Sequence, residues 1–470
     1  MTFKTFALIT LLIITSGCAY FQSITPKAIS KNELPGHYSF AISKKKPGLF
    51  LGIQSFDDNE LRQLIASAMK NNFTLNSARA QYMQAKASAM ILGALTYPRV
   101  NASLEPSLSK TRSNLSGTSS WNNQFSLGLM SSFEMDLWGR IRAQKRRAEY
   151  QLNAVELDYQ AAMISLIAEI TLCWVDIISQ RIQQDLLQKQ LTTNGMYLKL
   201  IRLRFQKGMV GSLDVYQQQQ VVESIASQLP LIKKQERLRY NQLGLLCGVP
   251  RSNLTISRNK FPTIKELPSA GIPSDLLSNR PDIQASWNRL QASYKNVWVS
   301  KTQQLPSLTL SATGNFESNK ISSLFDAWFV RLAGQFTTPL FDAGRLHAET
   351  QLSKAKAQAQ LIQYRRIVYN AIREVEDALT QKHYQDLHLK ALKQEQQTAQ
   401  KALDESRNRY QKGLSSYLPV LTHTLSVQRL EREIIQQTAQ YVHYHVYLYR
   451  ALGGQFPLSY LNYSLGEENE

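Results

Sequence analysis

Between Gly139 and Gly208, apolar side chains return every three or four residues through Met163, Leu166, Ile167, Ile170, Trp174, Ile177 and Ile178. That period keeps one face of an α-helix dry, and between its bounding glycines only Gly195 interrupts the stretch. At 1.5 Å per residue the helix is roughly 100 Å long. A second stretch of the same kind runs from Gly344 to Gly413 with no Gly or Pro inside it. The ends correspond as well. Gly139-Arg140 and Gly344-Arg345 open the two stretches, and Arg204-Phe205-Gln206-Lys207-Gly208 and Arg409-Tyr410-Gln411-Lys412-Gly413 close them, both offset by 205 residues. An offset held over this distance marks a duplicated unit.

Other stretches alternate with period two. Val100, Ala102 and Leu104 face away from Asn101, Ser103 and Glu105. After a polar loop around Thr111 to Ser120, Phe125, Leu127, Leu129, Ser131 and Phe133 alternate with Gln124, Ser126, Gly128, Met130 and Ser132. A second pair runs through Leu308, Leu310, Ala312 and Gly314, then Trp328, Val330, Leu332, Gly334 and Phe336. Each run has about the 9–11 residues a tilted strand needs to cross a bilayer. The alternative is a soluble hairpin with one buried face; Trp121 and Trp138, bracketing the second strand, favour the membrane. Pro98 and Pro306 are offset by 208 rather than 205, which assigns a three-residue difference to the loop at the strand tips.

The remaining segments read as helices. One capped by Asp57 or Asp58 runs through Leu61, Leu64, Ile65 and Ala68 to about Leu92, with Gly93 as its C-cap. Others cover Leu213 to Leu246, Pro281 to Gln304 and Leu418 to Leu452. The expected organisation is a signal peptide (1–17), a lipidated tether (18–55), a first helix-strand-strand-helix-helix repeat (56–248), a Pro-rich connector (249–272), a second repeat (273–454) and a tail (455–470).

Composition adds an address and removes some chemistry. Lys4 precedes a mostly apolar run from Phe6 to Ile14, then Thr15-Ser16-Gly17-Cys18. This is a signal peptide ending either in a lipoprotein cleavage box that leaves Cys18 for lipidation, or in an ordinary site with an incidental cysteine. Thr15 departs from the usual leucine of such boxes, while Ala19 suits passage to the outer membrane. No other stretch reaches 18 uninterrupted apolar residues, so no membrane-spanning helix is expected in the mature chain. The net charge is +19, but the Lys and Arg are scattered. That argues against nucleic acid and for a solvated exterior that also meets acidic lipid headgroups. Cys173 and Cys247 lie 35 and 39 residues from Gly208, at similar heights in a hairpin, so a disulfide and two buried thiols both remain open. His443 and His445 point in different directions on a helix, and His383 and His388 are no better placed. With no phosphate-cradling loop and no nucleophile elbow, neither an enzyme nor a cofactor or metal site is expected.

Four strands cannot cross a membrane alone, because open edges leave N–H and C=O groups unpaired in lipid. Copies must assemble into a barrel of 8, 12 or 16 strands. Several motifs now become specific: the Cys18 box, Asp136-Leu137-Trp138-Gly139-Arg140, Pro273-Ser274-Asp275-Leu276-Leu277 with Arg280-Pro281-Asp282-Ile283, and the paired Arg-aromatic-x-Lys-Gly turns. Together they resemble the TolC-type outer membrane factors, in the lipoprotein branch that serves resistance-nodulation-division efflux pumps. The resemblance implies a membrane α+β fold: a tandem-repeat protomer with four transmembrane β-strands, a 12-stranded trimeric barrel and a long periplasmic α-helical coiled-coil barrel. It implies a homotrimer in outer-membrane lipid, docked onto a periplasmic adaptor and an inner-membrane transporter, passing drugs or small toxic solutes outward. It places adaptor-docking tips at Gly208, Val210, Gly211, Ser212 and Leu213, and at Gly413, Leu414, Ser415 and Ser416. It draws gate candidates from Asp214, Arg409, Tyr410, Ser415 and Thr422; Ser415 and Thr422 stand where relatives commonly carry Asp. Two other readings compete: the outer channel of a type I protein-secretion system, and a periplasmic coiled-coil lipoprotein without a pore.

Overall fold

The computed structural model describes residues 58–112, 119–263 and 273–454, together with 26, 29, 33–40, 56 and 117. Cys18, the rest of the tether and the acidic tail lie outside the described residues. Helices α1 (Asn59–Asn71) and α2 (Phe73–Ala94) lead to strands β1 (Arg99–Arg112) and β2 (Ser119–Met135). Then come α3 (Arg140–Gln206) and α4 (Ser212–Cys247). The one-turn α5 (Leu276–Asn279), α6 (Pro281–Thr302), β3 (Ser307–Ser318), β4 (Trp328–Thr337), α7 (Arg345–Gln411) and α8 (Tyr417–Ala451) follow. Both α3 and α7 are 67 residues long. The described residues fall into two compact units, one built on 82–156 and 285–365, the other on 29–81, 157–284 and 366–454.

The first unit holds one antiparallel sheet of order β1-β2-β3-β4. Its register places Leu104 opposite Leu127, Leu127 opposite Phe316, and Phe316 opposite Trp328. Successive side chains point to opposite faces, so this register gathers the apolar positions of all four strands onto one face. That face carries Val100, Leu104 and Leu108 of β1, Leu129 of β2, and Trp328, Val330, Leu332 and Phe336 of β4, all well exposed. Asn101, Ser103, Gln124, Ser126, Glu134, Thr309, Thr313, Asn315 and Gln335 take the other face. A soluble protein would cover so continuous an apolar surface. The edges β1 and β4 have no strand beside them among the described residues.

The hairpins differ from expectation in length. The first runs from Arg99 to Met135 and the second from Ser307 to Thr337, six residues shorter. The link from strand to long helix is instead three residues longer in the second copy, 338–344 against 136–139. The three-residue difference therefore does not sit in the tip loop: it is net of a longer first hairpin and a shorter first link. Polar residues at the tip of β1 and β2 pair as well in water as apolar ones do in lipid, so the ladder continues to Arg112 and Ser119. Trp121 thus lies inside β2, with the Lys110 ammonium 4.9 Å from its ring. Trp138 is half-buried and donates to the Pro306 carbonyl at 2.6 Å.

In the second unit, Tyr159, Met163, Ile167, Ile170, Trp174 and Ile178 of α3 form a core with Leu61, Leu64, Ile65 and Ala68 of α1 and Leu243 of α4. Helix α3 is the one described helix apolar enough to cross a membrane by composition, yet 67% of that window is buried in the protein. Its hydrophobicity serves the core. Asp58, not Asp57, caps α1, accepting from Glu60 N at 2.9 Å and Leu61 N at 3.2 Å. The single helix expected to reach Leu92 is instead two, broken at Asn72 where ψ is 126°. The Asn72 carboxamide accepts from Leu75 N at 2.8 Å, capping α2, and donates to the Leu246 carbonyl at 2.8 Å. Gly93 sits inside α2, which ends one residue later. Cys173 and Cys247 are buried free thiols. Burial pushes Cys173 up to about 12 and Cys247 up to about 11.

Candidate functional site

The two helical turns that close the long helices are built alike. Gly208 takes φ +70° and Gly413 φ +73°, the left-handed region that favours glycine. Gly208 N–H donates to Phe205 O at 2.9 Å and Met209 N–H to Arg204 O at 2.8 Å. Gly413 N–H donates to Tyr410 O at 3.0 Å and Leu414 N–H to Arg409 O at 2.9 Å. Both are Schellman closures, which satisfy the last carbonyls of a helix. Met209, Leu213 and Leu414 are each 66% exposed. Ser212 and Ser416 are exposed too. Gly211 and Ser416 occupy N-cap positions with extended backbone and no side-chain cap. The tips therefore present unpaired helix-start N–H groups beside apolar side chains.

Behind the tips the side chains converge. Arg204 lies 4.7 Å from the Tyr410 ring centroid, and the Tyr410 and Tyr417 rings are 5.6 Å apart. Tyr417 OH donates to Gln218 Oε1 at 2.7 Å, and Gln218 Nε2 donates to Asn194 O at 3.0 Å. Asn194 and Gln218 are fully buried, so these bonds cross an otherwise apolar cluster that includes Leu187, Ile201, Val221, Leu403 and Val420. Arg407 donates to Tyr197 OH at 3.0 Å. Burial, with the carboxylate of Asp214 adding to it, raises the phenol of Tyr410 while the Arg204 guanidinium opposes the shift. Burial also raises Tyr417.

Of the gate candidates, Asp214 and Tyr410 come together on this inner side, and Val210 packs against the same cluster. Ser415 is half-buried, its hydroxyl without a hydrogen-bond partner. Arg409 is exposed. Thr422 is exposed and donates to Leu418 O of its own helix at 3.0 Å. Sequence reasoning missed Arg204, Tyr197, Gln218, Asn194 and Tyr417. Arg204 was within reach, since it is the repeat counterpart of Arg409. The buried amides were not, because Gln and Asn read as solvated until packing encloses them. Among the described residues, no three His, Cys, Asp or Glu side chains gather where they could hold a metal.

The model of the outer membrane efflux protein family matches residues 64–249 and 272–454. The chain belongs to the outer membrane efflux protein family. It is 32% identical over 409 residues to the pyoverdine export outer membrane protein OpmQ of Pseudomonas aeruginosa, covering 85% of this chain and 86% of that one. It is 27% identical to the cation efflux system protein CusC of Escherichia coli, covering 85% and 87%. Among solved structures, the CmeC outer membrane channel of Campylobacter jejuni superposes with a TM-score of 0.84 at 25% identity, covering 93% of this chain and 95% of that one. As an outer membrane efflux protein the chain is an exit duct of an efflux system. Its apolar sheet face lies in the outer membrane and its helices extend into the periplasm.

Proposed function

We propose that three copies close the barrel and form a passive duct for drugs or small toxic solutes, with no catalysis and no cofactor. One observation carries the reading: a sheet with a continuous apolar face and two open edges. In lipid an unpaired strand edge leaves several backbone groups unsatisfied, so β4 of one copy pairs with β1 of the next. Three sheets of four make twelve strands, wide enough for a lumen, and the polar faces line it. Native mass spectrometry in mild detergent is expected to give a trimer, and planar-bilayer recordings a conducting pore; monomers without conductance would remove the reading.

The partners in this proposal are a periplasmic adaptor and an inner-membrane resistance-nodulation-division transporter, with Cys18 lipidated to anchor the N-terminus. Docking uses the tips at Gly208 to Leu213 and Gly413 to Ser416, where uncapped helix starts and exposed Met209, Leu213 and Leu414 suit a partner helix. Gly208→Trp with Gly413→Trp should abolish resistance while leaving trimer and conductance intact. Unchanged resistance would reject tip docking. At the gate, Ser415 and Thr422 carry no charge, so cation preference should be weak, and Ser415→Asp should raise it by adding three carboxylates to one ring. A strongly cation-selective wild type in reversal-potential measurements would point instead to Asp214.

A further inference from the structure

A pocket of 230 Å³ opens in the first unit between the start of α3 and the end of α6, lined by Arg142, Arg146, Tyr294, Lys295, Trp298 and Lys301 among others. Four cations and two amphipathic aromatics share this small concavity. Arg142 is paired with Asp136 at 3.0 Å. Arg146, Lys295 and Lys301 form no ion pair with any described residue. Three of the four cations crowd here without a carboxylate to balance them, such as Asp136 supplies to Arg142 and Glu134 to Arg140.

The pocket's side of the sheet follows from helix geometry. Arg140 bonds Glu134, which the register opposite Thr309 puts on the polar face. At about 100° per residue, Arg142 and Arg146 point roughly 200° and 240° away from Arg140. They therefore open toward the side of the apolar, lipid-facing surface. The height follows from the strand ends. Met135 ends β2 and Ser307 begins β3 at the end of the sheet where α3 and α6 attach. Leu340 and Phe341, just past β4 at this same end, are 92% and 90% exposed, as an apolar anchor dipping into a bilayer would be. Trp298, whose indole N–H donates to Trp138 O at 3.2 Å, also lines the pocket.

From this we infer that the pocket binds the phosphate-bearing headgroup of an anionic phospholipid in the periplasmic leaflet of the outer membrane. The chemistry is phosphodiester recognition: ammonium and guanidinium groups meet phosphate oxygens, while Tyr294 and Trp298 sit at the level of the glycerol, where amphipathic rings partition. The inference rests on the duct reading only for the membrane position of the sheet.

The test is native mass spectrometry of the full-length protein in detergent, titrated with dioleoylphosphatidylglycerol, with dioleoylphosphatidylcholine and with inorganic phosphate. Phosphatidylglycerol should bind in preference to phosphatidylcholine. The combined Arg146→Gln, Lys295→Gln and Lys301→Gln variant should bind phosphatidylglycerol roughly 100-fold more weakly, at about fivefold per charge near a membrane surface. A control with Lys199→Gln, Lys233→Gln and Lys234→Gln, three exposed lysines of the second unit, should bind like wild type. Equal affinity in wild type and pocket variant would overturn the proposal, as would an equal loss in the control. Inorganic phosphate displacing the lipid at equal concentration would overturn the lipid source and leave a free-anion site. If the triple variant does not assemble, Lys301→Gln alone should show the fivefold loss. Channel conductance, measured in parallel, reports the duct itself, so the two readings fail separately.

Discussion

Each repeat contains the same junction, made with different chemistry. In the first, the chain breaks at Asn72, whose carboxamide donates to the carbonyl of Leu246 at 2.8 Å. In the second it breaks at Arg280, whose guanidinium donates to the carbonyl of Ala451 at 3.0 Å. Leu246 and Ala451 are counterparts at the 205-residue offset, Asn72 and Arg280 at the 208-residue offset. Gly248 and Gly453 close the return helices with φ +64° and +90°, each against the carbonyl that precedes the break. The backbone requirement is therefore shared, and only its side-chain donor differs. Asn72 meets it as a neutral group. Arg280, 8% exposed, needs counter-charges, and takes Asp282 at 2.6 Å and Glu374 at 2.7 Å. The comparison separates what the fold demands, a glycine and a donor, from what each copy supplies.

The largest expected effect comes from the shared part. A Cβ at Gly248 would lie 2.2 Å from the Asn71 carbonyl oxygen, and one at Gly453 2.6 Å from that of Asn279. Backbone cannot swing aside as a side chain can, and positive φ adds its own strain. Gly248→Ala should cost about 4 kcal/mol and Gly453→Ala somewhat less, read as accelerated thermal unfolding of the detergent-solubilised protein. Wild-type unfolding in both would mean that the junctions do not constrain the fold.

The donors come next. Arg280→Met strands two carboxylates, but these are about 40% exposed, so the loss should be about 3 kcal/mol, at the lower end for a broken buried pair. Asn72→Ala leaves the Leu246 carbonyl and the α2 start unpaired, at about 1–2 kcal/mol. High salt should lessen the difference between wild type and Arg280→Met and leave that for Asn72→Ala alone. Salt-independence of the Arg280 effect would reduce both donors to the same neutral role.

The junctions also mark the limit of what the sequence discloses. Glycines with φ > 0 at the turns, the period of α3 and the alternation of the four strands are local signals, and each declares its element from neighbours alone. The Arg280-Pro281-Asp282 motif is visible too, yet its reading as a helix start misses its main role: Arg280 reaches a carbonyl 171 residues away. The break at Asn72 carries no Pro or Gly, and its cause is the approach of Gly248, which only tertiary packing brings near. Length misled at the hairpins, since polar strand tips look like loops until paired. Pro230 lies inside α4, a residue that composition alone would place at a boundary.

One helical stretch before the junctions, a further pair of counterpart positions differs in its chemistry. Tyr240 and His445 are counterparts at the 205-residue offset, and both are buried. Tyr240 OH accepts from Arg181 at 2.7 Å; burial raises its phenol although the Arg181 guanidinium opposes the shift, so it does not titrate near neutrality. His445 holds a ring nitrogen 2.9 Å from Tyr441 O. Burial lowers it to about 4, the ammonium of Lys382 also lowers it, and the Tyr441 carbonyl opposes both. A folded-state value below the ordinary 6.5 means that the unfolded chain takes up the proton first. Stability is then complete above about pH 6.5 and falls as the pH drops from there toward about 4. At about pH 5.5 the loss should be roughly 1 kcal/mol relative to about pH 7.5. His445→Tyr, which makes the second copy chemically like the first, should remove that part of the acid sensitivity. Unfolding rates followed by tryptophan fluorescence at the two pH values decide it, because the difference between wild type and variant cancels every other titrating group. Equal pH dependence in the two proteins would show that His445 is protonated as easily folded as unfolded, and that the two copies do not differ in their response to acid at this position.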